Sequence, residues 1–128
     1  VSVWYEWVEH LLDRLELPTP KTIPEDQLVV RLASDDQFVL ENNTDHCLLS
    51  LRMQVNGYQQ EAFAAQLLTL CDPQRAHPYQ IRIGQDGQNE FIIAIRLSAI
   101  DHQSQDLIAA FDVLWDTRQD LLEHQAGN

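Results

Sequence analysis

Between His46 and Cys71 the hydrophobic period of the chain changes from about two to about 3.6 within a single turn. Cys47, Leu49, Leu51, Met53 and Val55 alternate with Leu48, Ser50, Arg52 and Gln54, the pattern of a strand with one buried face and one mostly polar face. Asn56-Gly57 breaks that strand. From Tyr58 the apolar positions Phe63, Leu67, Leu70 and Cys71 recur at helical spacing, and Ala62, Ala64 and Ala65 keep the helix slim. A strand that hands directly to a small-faced helix predicts a layer interface, to which the rest of the chain must add strands and covering helices.

Upstream, Val3, Trp4, Trp7, Val8, Leu11, Leu12 and Leu15 form one helical stripe, with Ser2 placed to cap it. Pro18, Pro20 and Pro24 end this helix near Leu17 and make the following segment an extended spacer. The aromatic first turn has two readings: core residues with large buried areas, or a surface anchor for a partner. Gln27 to Ala33 alternates as a strand, Ser34-Asp35-Asp36 is a turn, Gln37 to Glu41 a second strand, and Asn42 to Asp45 the turn into the strand already described. Downstream, Asp72-Pro73 stops the second helix, Tyr79 to Ile83 is a strand after Pro78, and Gly84 to Gln88 is a hairpin turn. In the last strand, Glu90 to Leu97, Ile92 and Ala94 make the second face partly apolar, so cover on both sides is expected. Asp101 or Ser104 caps a final helix whose stripe runs through Leu107, Ile108, Phe111, Leu114, Trp115, Leu121 and Leu122. Arg118 falls on that stripe, either as a snorkelling side chain or as half of a charge pair across an interface. The predicted fold is α+β: helix, three-strand antiparallel meander, helix, β-hairpin, helix, in one domain spanning residues 1–128.

Charge narrows the partners. Eight Lys and Arg against twenty Asp and Glu give a net charge of −12, which repels phosphate backbones and anionic membrane surfaces, so neither nucleic acid nor membrane insertion is expected. No apolar run is long enough to span a bilayer, and Glu6 and Glu9 stand where a secretory signal carries basic residues. A cytoplasmic location follows as the expectation. The two cysteines, Cys47 on an inward strand face and Cys71 at a helix end, read as buried free thiols. The Asn42-Asn43-Thr44 sequon is discounted for a cytoplasmic chain. None of the four glycines lies in a phosphate-cradling loop, and the five histidines are scattered. Asp45-His46-Cys47 and the interval from Cys71 to His77 lack a second ligand pair or a convergent base. No catalytic residue, metal or cofactor is therefore expected. What remains is more apolar face than one small domain hides, which points to self-association and to grooves for a segment of another protein.

The element order and acidity, together with Trp7 to Pro20 (WVEHLLDRLELPTP), Cys47 to Leu70, the hairpin Ile81 to Leu97 and Leu107 to Leu122 (LIAAFDVLWDTRQDLL), resemble the class I chaperones of bacterial type III secretion. The two ends are most similar to SycN-type gatekeeper chaperones. The resemblance spans nearly the whole chain through diffuse apolar spacing, although the Cys71 to His77 connection lacks the Asn and Gly usual there. It implies a non-enzymatic cytoplasmic protein that dimerises, with itself or a related chaperone, and holds an N-terminal segment of an effector or gatekeeper protein extended for export. It places Phe63, Leu67, Leu70, Tyr79, Ile81 and Ile83 at the dimer interface, some of them shared with the core. For the partner segment, Trp4, Trp7, Val8 and Leu11 of the first helix and Val29 and Val39 of the sheet are the candidates, being apolar beyond what the inner strand faces require. Two other readings stand beside it: an adaptor domain of similar fold that binds a folded partner, and a small enzyme whose site the sequence hides.

Overall fold

A computed structural model of the chain describes residues 3–32, 34–43, 45–55, 60–72, 79–87, 89–98 and 100–126. Its elements run α1 (Val3–Arg14), β1 (Gln27–Arg31), β2 (Gln37–Asn43), β3 (His46–Gln54), α2 (Gln60–Leu70), β4 (Arg82–Asp86), β5 (Glu90–Ser98) and α3 (Ser104–Ala126). The strands form one sheet in the order β1-β2-β3-β5-β4, antiparallel throughout. The α2 connection carries the chain past the β5 position to the far edge, and the hairpin then returns β5 to pair with β3.

Strand alternation decides which face is buried. The register lines up Leu28, Leu40, Leu49 and Ile95 in one row across the sheet, and Val30, Phe38, Leu51 and Ile93 in the next. These side chains, with Cys47, Met53, Phe91 and Leu97, meet the buried residues of all three helices in one core. α3 packs over β3 and β5, and α1 and α2 each pack against α3. Phe38 lies under Phe111 at 4.5 Å between ring centroids, and Phe63 of α2 meets Phe91 at 5.1 Å. Burial of these large rings, with the aliphatic side chains around them, holds the layers together.

The helix ends follow from local chemistry. At the close of α1, Glu16 takes φ 58°, its N–H donates to the Asp13 carbonyl and the Leu17 N–H donates to the Leu12 carbonyl. This is a Schellman ending with a glutamate where glycine is usual. The Trp4 indole N–H donates to the Pro24 carbonyl at 2.7 Å, so the proline-rich spacer is tied back onto α1. At α3 the helix begins at Ser104, and Asp106 accepts the Gln103 N–H at 2.8 Å. The cap is therefore supplied by Asp106 from within the first turn, where Asp101 or Ser104 was expected.

Several expectations are corrected. β4 occupies Arg82–Asp86, so Gly84 lies in the strand opposite Ile92, and the turn begins at Gly87 with φ +72°. An edge strand needs only one neighbour, and its polar residues hid the ladder from a hydrophobic pattern. No second layer of described residues covers β5. Ala94 is buried because it is small and sits between Ser50 and Arg82 on neighbouring strands, while Ile92 is half-buried. Arg118 neither snorkels nor crosses an interface: its Nε donates to Asp36 at 2.8 Å and its Nη2 to Ser34 Oγ at 2.8 Å. Asp36 also accepts the Gln54 backbone N–H at 3.0 Å, so one buried ion pair joins α3, the β1–β2 turn and the end of β3. The Ser2 cap, the Asn56-Gly57 break and the connection from Pro73 to Pro78 lie outside the described residues.

Candidate partner-binding surface

Where the described helices and strands leave apolar surface open, three regions stand out. The first is the seam between α1 and α3. Beside the Schellman turn that ends α1 lies a cleft of about 400 Å³ lined by Arg14, Leu15, Glu16, Leu32, Phe111 and Trp115. Leu15, Leu32, Phe111 and Trp115 give it an apolar wall and Arg14 and Glu16 a polar one of nearly equal extent, an arrangement that suits an apolar side chain with polar neighbours on a passing polypeptide. Arg14 fixes the rim: its Nη2 donates to Asp112 at 2.8 Å and its guanidinium lies 5.8 Å from the Phe111 ring centroid. On the other side of Arg14 a hollow of about 450 Å³ continues the seam toward His10 and Ile108.

The second region is the open face of the sheet. Val29 and Val39 are register partners on it, with Val29 43% exposed and Val39 buried among its neighbours. The third lies at α2 and β4, where Leu68 is 63% and Ile83 38% exposed.

These positions revise the residue expectations. Trp4, Trp7, Val8 and Leu11 are buried in the protomer core, so they support the α1 wall from behind and present no side chain to a partner in this structure. Their stripe is the core stripe. Phe63, Leu67, Leu70 and Ile81 are likewise buried in the core, and Tyr79 is half-buried, which leaves Ile83 as the solvent-exposed member of the expected dimer set. Leu68, one position beyond Leu67, faces outward and was missed. Leu32 and Trp115 line the cleft although, in sequence, the one falls within an alternating strand and the other within the α3 stripe. A stripe edge that is half-buried is the signal that could have found them.

Among the described residues, the chemically reactive groups singled out from the sequence do not converge. Cys47 and His46 are successive strand residues and point to opposite faces. Cys47 and Cys71 are buried free thiols, and burial pushes the Cys47 thiol up to about 11. The hydrogen bond with His46 holds the Asp45 carboxyl below its ordinary value. The Asp106 carboxyl is lowered chiefly by the Gln103 N–H, and desolvation with a bond to Asp106 raises Tyr79. Among the described residues, no group of three or more His, Cys, Asp or Glu is placed to hold a metal ion. No helix of the described residues is long and apolar enough to cross a membrane.

No protein-family model matches the chain, and no curated protein matches it by sequence. Solved structures do match in fold. The chain is similar to the Yersinia pestis type III secretion chaperone SycH, solved in complex with a stable fragment of YscM2, with 18% identity, a TM-score of 0.63 and coverage of 91% of this chain and 97% of that one. It is similar to a chain of the heterodimeric ExoU–SpcU complex from the type III secretion system of Pseudomonas aeruginosa, with 17% identity, a TM-score of 0.64 and coverage of 92% and 93%. It is similar as well to YbjN from E. coli, suggested to be a transcription regulator, with 12% identity, a TM-score of 0.66 and coverage of 94% and 93%. At these identities the likeness is one of fold, and the SycN-type kinship expected from the two ends of the chain has no support in it. The three-helix, five-strand antiparallel α+β architecture is that of the type III secretion chaperones.

Proposed function

We propose that this chain is a non-enzymatic cytoplasmic chaperone domain, one domain across residues 1–128, that binds an extended segment of a secreted effector or gatekeeper protein and keeps it competent for export. The observation that carries the reading is the cleft between α1, the end of β1 and α3, open to solvent, with Leu15, Leu32, Phe111 and Trp115 on one side of its lining and Arg14 and Glu16 on the other. Structures of the same fold bound to a partner fragment or held in a heterodimer support it. The segment lies along the α1–α3 seam, with one apolar side chain against Leu15, Leu32 and Trp115, and it reaches the open sheet face near Val29 and Val39. The chain pairs with a second copy or a related chaperone through α2 and β4, using Leu68 and Ile83 as the exposed apolar contacts.

Affinity capture from the source organism, followed by limited proteolysis and mass spectrometry of the complex, tests the reading. Protection of a partner segment that is unfolded when released is the expected result. A partner that is fully folded when free favours instead an adaptor of the same fold, the reading to which the likeness to YbjN lends weight. Absence of any protein partner would remove both.

A further inference from the structure

The cations of this chain are unevenly placed. Of its eight Lys and Arg residues, Arg31, Arg52, Arg82 and Arg96 all fall on the open face of the sheet, by the alternation and register of β1, β3, β4 and β5. A net charge of −12 therefore coexists with one face where arginines accompany only Glu41, Asp86 and Glu90 among the carboxylates of the strands. Arg52 is spoken for, lying 2.8 Å from Glu90 and 3.4 Å from Asp86. Arg82 and Arg96 carry no ion pair within the described residues. The nearest side-chain partner of Arg96 is His46, whose Nδ1 lies 3.4 Å from Nη2 and is already engaged by Asp45.

These two arginines line one pocket of about 290 Å³ with Tyr79, Gln80 and His102. Arg82 is the register partner of Ala94, and Arg96 lies two residues further along the same face, so the side chains flank one opening. The neighbouring acid, Asp106, is occupied by the Gln103 N–H and the Tyr79 hydroxyl. His102 accepts the Ser98 N–H through Nδ1, and its ring lies tilted at 55° to that of Tyr79 with the centroids 6.1 Å apart, which holds the wall in place.

Resting on the chaperone reading above, we infer that the pocket at Arg82 and Arg96 receives a carboxylate side chain of the partner, so that the open sheet face selects a segment carrying Asp or Glu beside its apolar anchors. Charge complementarity argues for this occupant. Two arginines that form no close ion pair among the described residues, with the Asp45 charge acting on Arg96 only from further away, fit one acidic side chain, whereas a nucleic-acid strand would bring its further phosphates against an acidic surface. The rest of the protein repels acidic polypeptide, so a preference for it must arise locally.

The test uses labelled peptides of one design, with Leu and Val at alternate positions and either Glu or Gln between them, measured by fluorescence anisotropy against the full chain. The Glu peptide should bind about five- to tenfold more tightly than the Gln peptide at low salt. The double variant Arg82→Gln/Arg96→Gln should abolish that preference while binding the Gln peptide as the wild type does. In nitrogen-15 spectra the Glu peptide should shift the Nε resonances of Arg82 and Arg96. Equal binding of the two peptides overturns the inference and leaves the chaperone reading standing; failure to bind either peptide counts against both. Saturation of the same resonances by millimolar inorganic phosphate, with no peptide preference, would make the pocket a small-anion site and overturn the inference.

Discussion

Removing Arg118 should destabilise this fold more than its surface-like residue type suggests. Its Nε sits 2.8 Å from Asp36 Oδ2, both residues are less than a tenth exposed, and its guanidinium lies 5.2 Å from the Trp115 ring centroid. In Arg118→Ala, Asp36 keeps the Gln54 N–H and loses its charge partner, leaving a buried carboxylate uncompensated. Breaking one side of such a pair costs about 3 to 5 kcal/mol. For a chain of this size that is a fall of roughly 10 to 20 °C in Tm. The double variant Arg118→Ala/Asp36→Asn keeps an acceptor for Gln54 and removes both charges, so it should be less destabilised than the sum of the Arg118→Ala and Asp36→Asn single variants. A coupling energy of about 1 to 3 kcal/mol in the cycle is the expected signature. Urea unfolding followed by tryptophan fluorescence reads all four proteins, with Trp115 as a local reporter. An Arg118→Ala loss below about 1 kcal/mol, or additive single variants, would refute the reasoning.

Three further outcomes follow from burial. Trp4→Ala and Trp7→Ala should each lose about 3 to 5 kcal/mol, because both rings are core; retention of full stability in thermal melts would return them to the surface. Leu68→Asp should leave the melting curve nearly unchanged while converting dimer to monomer in sedimentation, whereas Leu67→Asp should unfold the chain by burying a carboxylate; a persistent Leu68→Asp dimer would exclude α2 from the interface. The Cys47 thiol, raised from 9.0 to about 11, favours the neutral form in the fold, so its contribution is complete below pH 9 and disappears as pH rises through 11. The loss is at most about 2 to 3 kcal/mol, less where water reaches the sulfur, and Cys47→Ala should flatten it in denaturant titrations at pH 8.5 and 11; equal loss in both proteins would exclude Cys47 as its source.

The sheet was legible in the chain because β3 and β5 must bury one complete face, and period two records that demand directly. α2 was legible as an element but its outward side was not. Phe63, Leu67 and Leu70 form a single stripe, and the core claims it, so the surface for a second subunit had to lie one residue away at Leu68. β4 shifted by several residues because an edge strand pairs through backbone and tolerates Gln85 and Asp86 in its ladder. The partner of Arg118 was invisible for another reason: Asp36 is 82 residues distant in sequence, and no periodicity reports a tertiary ion pair. The α1–α3 cleft belongs to the same class. Its lining brings Leu15 and Glu16, Leu32, and Phe111 and Trp115 together from three separate stretches of the chain, which is a fact of packing.

The central claim is that the α1–α3 cleft holds a segment of another protein, and site-specific photo-crosslinking in the source organism addresses it most directly. A benzophenone side chain placed at Glu16, on the cleft rim, is compared with one at Asp120, an exposed position on α3 that does not line the cleft. The account predicts a discrete polypeptide adduct at Glu16, mapped to one short segment of the partner, and none at Asp120. No adduct at Glu16, or equal adducts at both positions, would contradict it.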